Sequence, residues 1–251
     1  MKDAVRSVLI VDDEVDACEN LRDILVDLGY RTGIARNGLE AIQELRRADY
    51  DIALLDLKMP GLDGVSVYRE IKRLRPETAA IVVSAFAGSE LAETALEEGA
   101  AGVVPKPVDV PQLLTAIATS LAQPLVLVVD DDPDFCRNLW QILNGKGFRV
   151  ALAHDAEEAH RRLAAKSFDI VLIDLRLRGS QTGEDVLRIV AETNPNARRV
   201  LVTGFRDSSV ETIRSLVDRG IDAVCYKPID VENLLNMLSR RSNSSDPVND
   251  V

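Results

Sequence analysis

This 251-residue chain has little that would place it outside the cell, in a membrane or on nucleic acid. Its three cysteines, an odd number in a long chain, do not make a disulfide framework. A signal peptide and an apolar run of membrane-spanning length are both missing, so a cytoplasmic protein with no membrane partner is expected. Basic residues are outnumbered, 30 against 41 acidic ones, for a formal charge of −11. That balance argues against nucleic acid and anionic lipid, which both reward basic surfaces. There is no phosphate-binding Gly-rich loop, no dinucleotide fingerprint and no G-x-S-x-G elbow. His154 and His160 stand on or near a polar helical stretch without the ATP-binding segments of a kinase, and read as surface residues. A conventional enzyme is therefore not expected.

What is present is one constellation, twice. Two adjacent carboxylates follow a buried strand, a lone Asp follows a second strand, a hydroxyl a third, and Lys-Pro a fourth. In the first half these are Asp12 and Asp13, Asp56, Ser84, and Lys106-Pro107; in the second, Asp130 and Asp131, Asp174, Thr203, and Lys227-Pro228. The copies are offset by 118, 118, 119 and 121 residues, in register apart from small loop insertions. Cys18 and Cys136 also repeat at 118 and read as small buried residues on the first helix of each copy. The expected domains are 1–123 and 124–241, each long enough for its own core, with the polar segment 242–251 as a frayed tail. Acidity is uneven: residues 1–124 hold 13 Lys/Arg against 21 Asp/Glu, the remainder 17 against 20. The two copies should not present the same face to one partner.

Short apolar runs alternate with longer amphipathic stretches. Val8–Val11, Ile52–Leu55, Ile81–Val83 and Val103–Val104 read as strands buried on both faces, with counterparts Val126–Val129, Ile170–Ile173, Val200–Val202 and Ala223–Cys225. Weaker strands are expected at Arg31–Ala35 and Arg149–Ala153. Helical patterns lie between, among them Val15–Leu28, Gly38–Ala48, Val65–Leu74, Leu91–Glu97 and Val110–Leu121. Alternating β and α units of this length imply a parallel sheet covered by helices on both sides.

In such a sheet the functional crevice lies at the carboxyl ends of the strands, where every member of the constellation sits. Three converging carboxylates repel one another, and a hard divalent cation removes the repulsion; oxygen ligands with several retained waters suit Mg²⁺, with Mn²⁺ able to substitute. An Asp can be a nucleophile toward phosphorus, while a metal and an ammonium (Lys106, Lys227) neutralise the transferring oxygens. The hydroxyls of Ser84 and Thr203 can hydrogen-bond a phosphoryl oxygen. Singly, an Asp-Asp pair after a strand is more often a helix N-cap and a Lys-Pro a turn. In order and twice over, they mark a site.

Both halves resemble receiver domains of two-component response regulators: "VLIVDDE", "LLDLKMPGLDG", "VVSAF" and "VVPKP" in the first, "VLVVDDD", "LIDLRLRG", "LVTGF" and "CYKP" in the second. The resemblance covers about residues 5–121 and 125–240. It implies two flavodoxin-like, doubly wound (βα)5 domains, each with a parallel five-stranded sheet of order 2-1-3-4-5. Asp56 and Asp174 would accept phosphate from a sensor histidine kinase or a histidine phosphotransfer protein. Asp13 and Asp131 would be metal ligands, Asp12 and Asp130 would hold metal-bound water, the backbone carbonyls of Lys58 and Arg176 would complete the coordination, and both Lys-Pro bonds would be cis.

The copies depart from that pattern in places. Met59-Pro60-Gly61 of the first is replaced by Leu177-Arg178-Gly179, and the stretch from acceptor to Gly grows from 8 residues (Asp56 to Gly64) to 9 (Asp174 to Gly183). The longer loop, without Pro60's counterpart, should be the more mobile. Arg176, Arg178 and Arg206 are expected near the second acceptor, as solvated arginines or as phosphoryl or partner contacts. Val103 and Val224 stand where receivers usually carry the Phe or Tyr whose rotamer relays phosphorylation. Phe86 and Phe205 are expected to pack in the core, with a relay role as the alternative, and Tyr226 to point away from the side its lysine serves.

The function expected is phosphorylation-dependent association, by self-association or with a downstream protein. The alternatives are a phosphate relay or sink, such as a piece of a hybrid kinase, and an interaction scaffold that binds metal without needing phosphate.

Overall fold

The computed structural model describes residues 5–177, 182–204 and 220–239. The chain divides into two compact units, Met1–Gln123 and Pro124–Val251. The first contains β1 (Ser7–Val11), α1 (Val15–Asp27), β2 (Arg31–Ala35), α2 (Gly38–Arg47), β3 (Ile52–Leu55), α3 (Gly64–Leu74), β4 (Ala79–Ser84), α4 (Glu90–Glu97), β5 (Gly102–Pro105) and α5 (Val110–Leu121). The second contains β6 (Leu125–Val129), α6 (Pro133–Asn144), β7 (Arg149–Ala153), α7 (Ala156–Ala165), β8 (Ile170–Asp174), α8 (Gly183–Thr193), β9 (Arg198–Gly204), β10 (Ala223–Lys227) and α9 (Val231–Ser239).

Each sheet is five-stranded and parallel, with order β2-β1-β3-β4-β5 in one and β7-β6-β8-β9-β10 in the other. The apolar runs are continuous because both faces are covered, and alternate side chains go to opposite cores. Val8 and Ile10 meet Leu25 of α1 and Leu113 and Ile117 of α5, whereas Leu9 and Val11 meet Leu45 of α2 and Ile71 of α3. The second unit repeats this, with Val126 and Val128 against Leu143 of α6 and Leu234 of α9, and Leu127 and Val129 against Leu163 of α7 and Val190 of α8. Strands outrun the apolar runs, as at β9 and β5, because the hydrogen-bonded ladder continues past the last side chain that the core needs.

Register brings the strand ends together. Val11 lies opposite both Ala35 and Leu55, and Ser84 ends β4 beside Pro105. The ladder runs on into the following residues: the Asp12 N–H donates to the Ala35 carbonyl (3.1 Å), the Asp56 N–H to the Val11 carbonyl (2.9 Å) and the Lys106 N–H to the Ser84 carbonyl (3.0 Å). Asp12, Asp56, Ser84 and Lys106 thus sit at one edge of the sheet by main-chain geometry before any side chain is considered. At the opposite edge a repeated carboxylate is structural, Asp51 accepting from the Ser7 N–H (3.0 Å) and Asp169 from the Leu125 N–H (2.7 Å).

Candidate functional site: two acidic crevices

The adjacent carboxylates do not cap the helices that follow. The N-cap of α1 is Glu14 and that of α6 is Asp132. Asp12 instead turns back to accept from the Glu14 N–H (3.0 Å), and Asp130 from the Asp132 N–H (3.0 Å); in the same turn Asp13 is exposed and Asp131 half-buried. Asp12 and Asp130 are almost fully buried, 3% and 1% exposed, and Asp56 and Asp174 are buried beside them.

In each unit one lysine joins the cluster. Lys106 Nζ lies 2.6 Å from Asp12 Oδ2 and 2.6 Å from Asp56 Oδ2; Lys227 Nζ lies 2.5 Å from Asp130 Oδ2 and 2.7 Å from Asp174 Oδ2. Burial works to lower these ammonium groups, but the hydrogen bonds to the paired carboxylates outweigh it and hold both above the usual lysine range. Burial also raises the Asp130 carboxyl, against the pull of Lys227. Both Lys-Pro peptide bonds are cis.

The loops after Asp56 and Asp174 are tied by their own backbone. Asp56 Oδ1 accepts from the Lys58 N–H (3.1 Å) and Asp174 Oδ1 from the Arg176 N–H (2.9 Å). Gly64 and Gly183 begin the next helices so close to Asp56 and Asp174 that a Cβ there would strike those residues' carbonyl oxygens, so helix and loop pack only through glycine. Ser84 is 2% exposed and its Oγ accepts from the Phe86 N–H (3.1 Å), which leaves its own O–H proton to donate elsewhere; Thr203 is likewise buried.

The carboxylates Asp12, Asp13 and Asp56 place oxygens within 4.8 Å of one another, as do Asp130, Asp131 and Asp174. Hard oxygen donors alone, with a lysine already balancing part of the charge, fit Mg²⁺ or Mn²⁺ and do not fit a metal that prefers sulfur or imidazole. The structure therefore brings together, in each unit, all three carboxylates and the lysine picked out in the sequence.

Some details differ from expectation. Phe86 is not a core residue: it is 55% exposed, with the Lys58 ammonium 3.6 Å from its ring centroid. An aromatic just beyond a strand end is indistinguishable in sequence from one that folds back inside, and here a surface lysine supplies its partner. His154 is exposed as expected, yet its Nδ1 is 3.3 Å from the Asp130 carbonyl oxygen, at the rim of the second crevice. The repeated cysteines are fully buried, and each thiol also donates to the site's backbone, Cys18 to the Asp12 carbonyl (3.2 Å) and Cys136 to the Asp130 carbonyl (3.3 Å). Their shared offset was the available signal. Tyr226 is exposed. Phe205, Arg178, Gly179, Arg206 and the segment 242–251 lie outside the described residues.

The response regulator receiver domain matches this chain twice, over residues 8–118 and 126–239. The chain belongs to the response regulator receiver family and carries two receiver domains in tandem. Over nearly its whole length it is similar to a response regulator receiver protein of Anaeromyxobacter sp. (strain Fw109-5), 36% identical over 236 residues, 94% of this chain and 95% of that one. One receiver's length is similar to the transcriptional regulatory protein ZraR of Klebsiella oxytoca, 33% identical over 115 residues, 46% of this chain and 26% of that protein. Among solved structures, the response regulator protein TrrA of Thermotoga maritima in complex with Mg(2+)-BeF is 30% identical, with a TM-score of 0.41 over 45% of this chain and 97% of that one. Described residues form no helix long and apolar enough to cross a membrane.

Proposed function

We propose that both receivers accept phosphoryl groups, on Asp56 and Asp174, from a phosphohistidine of a sensor kinase or phosphotransfer protein, and that the modified protein signals by changed association with itself or a downstream protein. The observation that carries the reading is the pair of complete crevices, each with an acceptor carboxylate hydrogen-bonded to a charged lysine and flanked by two further carboxylates. An acceptor oxygen forms a bond to phosphorus as the P–N bond breaks, and the imidazole, protonated on its other nitrogen, leaves neutral with the bonding pair. Bound to Asp12, Asp13 and Asp56 with the Lys58 carbonyl, or to Asp130, Asp131 and Asp174 with the Arg176 carbonyl, Mg²⁺ would neutralise charge on the transferring oxygens.

Lys106 and Lys227, fixed between buried carboxylates, are placed to meet the negative phosphoryl oxygens without reorganisation. The proton of Ser84, free of its backbone partner, and the hydroxyl of Thr203 serve as donors that register the new group. This is a signalling module, with output by association, and not a conventional enzyme. Routing of phosphate between unequal receivers is the second reading, favoured by the different acceptor loops.

The test is intact mass after incubation with acetyl phosphate and Mg²⁺, beside Asp56→Asn and Asp174→Asn. Two phosphoryl increments are expected, each lost with its own acceptor; no increment in any form would leave only the phosphate-independent scaffold.

A further inference from the structure

The two crevices differ in what stands on the third side of the lysine. In the second receiver the Lys227 ammonium, already between Asp130 and Asp174, also lies 4.2 Å from the centroid of the Phe135 ring. The residue at the same place in the first receiver, four after the second carboxylate of the pair, is Ala17, which has no ring to offer.

The first turn of α6 is built to hold that ring in place. Pro133 fixes the backbone at its start, and the Asp132 side chain caps it twice, accepting from the Asp134 N–H (2.9 Å) and the Phe135 N–H itself (3.1 Å). At the corresponding start of α1, Glu14 makes no side-chain cap and Val15 replaces the proline. Phe135 is half-buried against the core under α6, with Trp140 and Leu234 in the same cluster, so the ring is supported from behind while its face meets the lysine. A cation over an aromatic face is drawn to the ring's quadrupole, and a ring also shields one flank of the ammonium from water.

We infer that Phe135 is a positioning residue of the second receiver: it holds the Lys227 ammonium in the crevice and thereby sets the rate at which Asp174 accepts phosphate independently of Asp56. The inference rests on the phosphoacceptor reading above. It makes the tandem receivers kinetically unequal through a residue that acts by way of the lysine.

The experiment uses the full chain, with acetyl phosphate as the probe and Mg²⁺ present. Asp174 modification is followed by intact mass in an Asp56→Asn background, where acetate is the leaving group. Phe135→Leu, which keeps an apolar side chain of similar reach but removes the ring, is expected to slow Asp174 modification about threefold to tenfold, the worth of a half-buried cation–π contact. Phe135→Tyr, which keeps the ring face, is expected to retain the parent rate. Asp56 modification, followed in an Asp174→Asn background, is expected to be the same with Phe135 and with Phe135→Leu. A Phe135→Leu rate equal to the parent's would overturn the inference, and so would a Phe135→Tyr rate as low as that of Phe135→Leu, since loss of fit and not loss of the ring would then be responsible. A parent in which Asp56 is modified and Asp174 never is would instead overturn the phosphoacceptor reading of the second copy, and the inference with it.

Discussion

At the scale of single residues, the acidic crevices are governed by charge compensation and by close approach. Each lysine offsets two buried carboxylates, and the third carboxylate in each site, Asp13 or Asp131, is the more exposed. Calorimetric titration is expected to give two equivalents of Mg²⁺ for the parent and one each for Asp13→Asn and Asp131→Asn. Close approach is as strict: in Gly64→Ala the new Cβ would meet the Asp56 carbonyl and the Leu57 Cα, backbone atoms with no freedom to swing aside. The expected cost is about 1–3 kcal/mol in urea denaturation, as for other overpacked sites, together with slower modification of Asp56 because the acceptor loop is displaced.

At the scale of elements, α3 and α4 of the first receiver are tied by a polar clasp beside the apolar cluster of Val65, Ala92 and Ala95. The Tyr68 hydroxyl (2.9 Å) and the Lys72 ammonium (2.5 Å) donate to the Glu98 carbonyl at the end of α4, and the Arg69 guanidinium clasps the Glu98 carboxylate at 2.6 Å. The hydrogen bond from Arg69 holds that carboxyl below its ordinary range against the opposing effect of burial. A carboxyl whose folded pKa is depressed adds stability above its unfolded value, about 4.3, and loses it as pH falls through the folded value. Glu98→Gln is therefore expected to be less stable than the parent at pH 7, with the difference closing below about pH 4 in denaturant titrations at stepped pH. The thiols behave in the opposite sense: burial pushes Cys136 up to about 12, so alkylation at pH 8 should be far slower in the native protein than in the denatured chain.

At the scale of the whole molecule, each unit buries apolar clusters of its own on both faces of its sheet. Leu25 of α1 and Leu143 of α6 are both fully buried, at equivalent places in the two units. Leu25→Ala is expected to lower the stability of the first unit alone by about 2–5 kcal/mol, and Leu143→Ala that of the second alone. Calorimetric unfolding would show this as two transitions, of which each substitution moves one; a single transition shifted equally by both would mean that the receivers unfold as one body.

The parallel strands and the helices between them were legible in the apolar pattern, and the acids that cluster are the ones that end those strands. Those features follow from order along the chain: an apolar run long enough to cross the sheet must end at the crevice edge, so Asp12, Asp56, Ser84 and Lys106 are placed by where their strands stop. Helix starts were less legible, because Asp-Asp before a helix looks like a cap until the turn shows Glu14 and Asp132 in that position. Which side chains meet across elements is set by packing. Phe86 turns outward to Lys58, His154 leans on the Asp130 carbonyl, and Phe135 on α6 reaches Lys227 at the end of β10. The reason is physical: strand periodicity is a local property of the backbone, whereas a ring's contact with a distant cation depends on rotamers and helix packing that no single segment encodes.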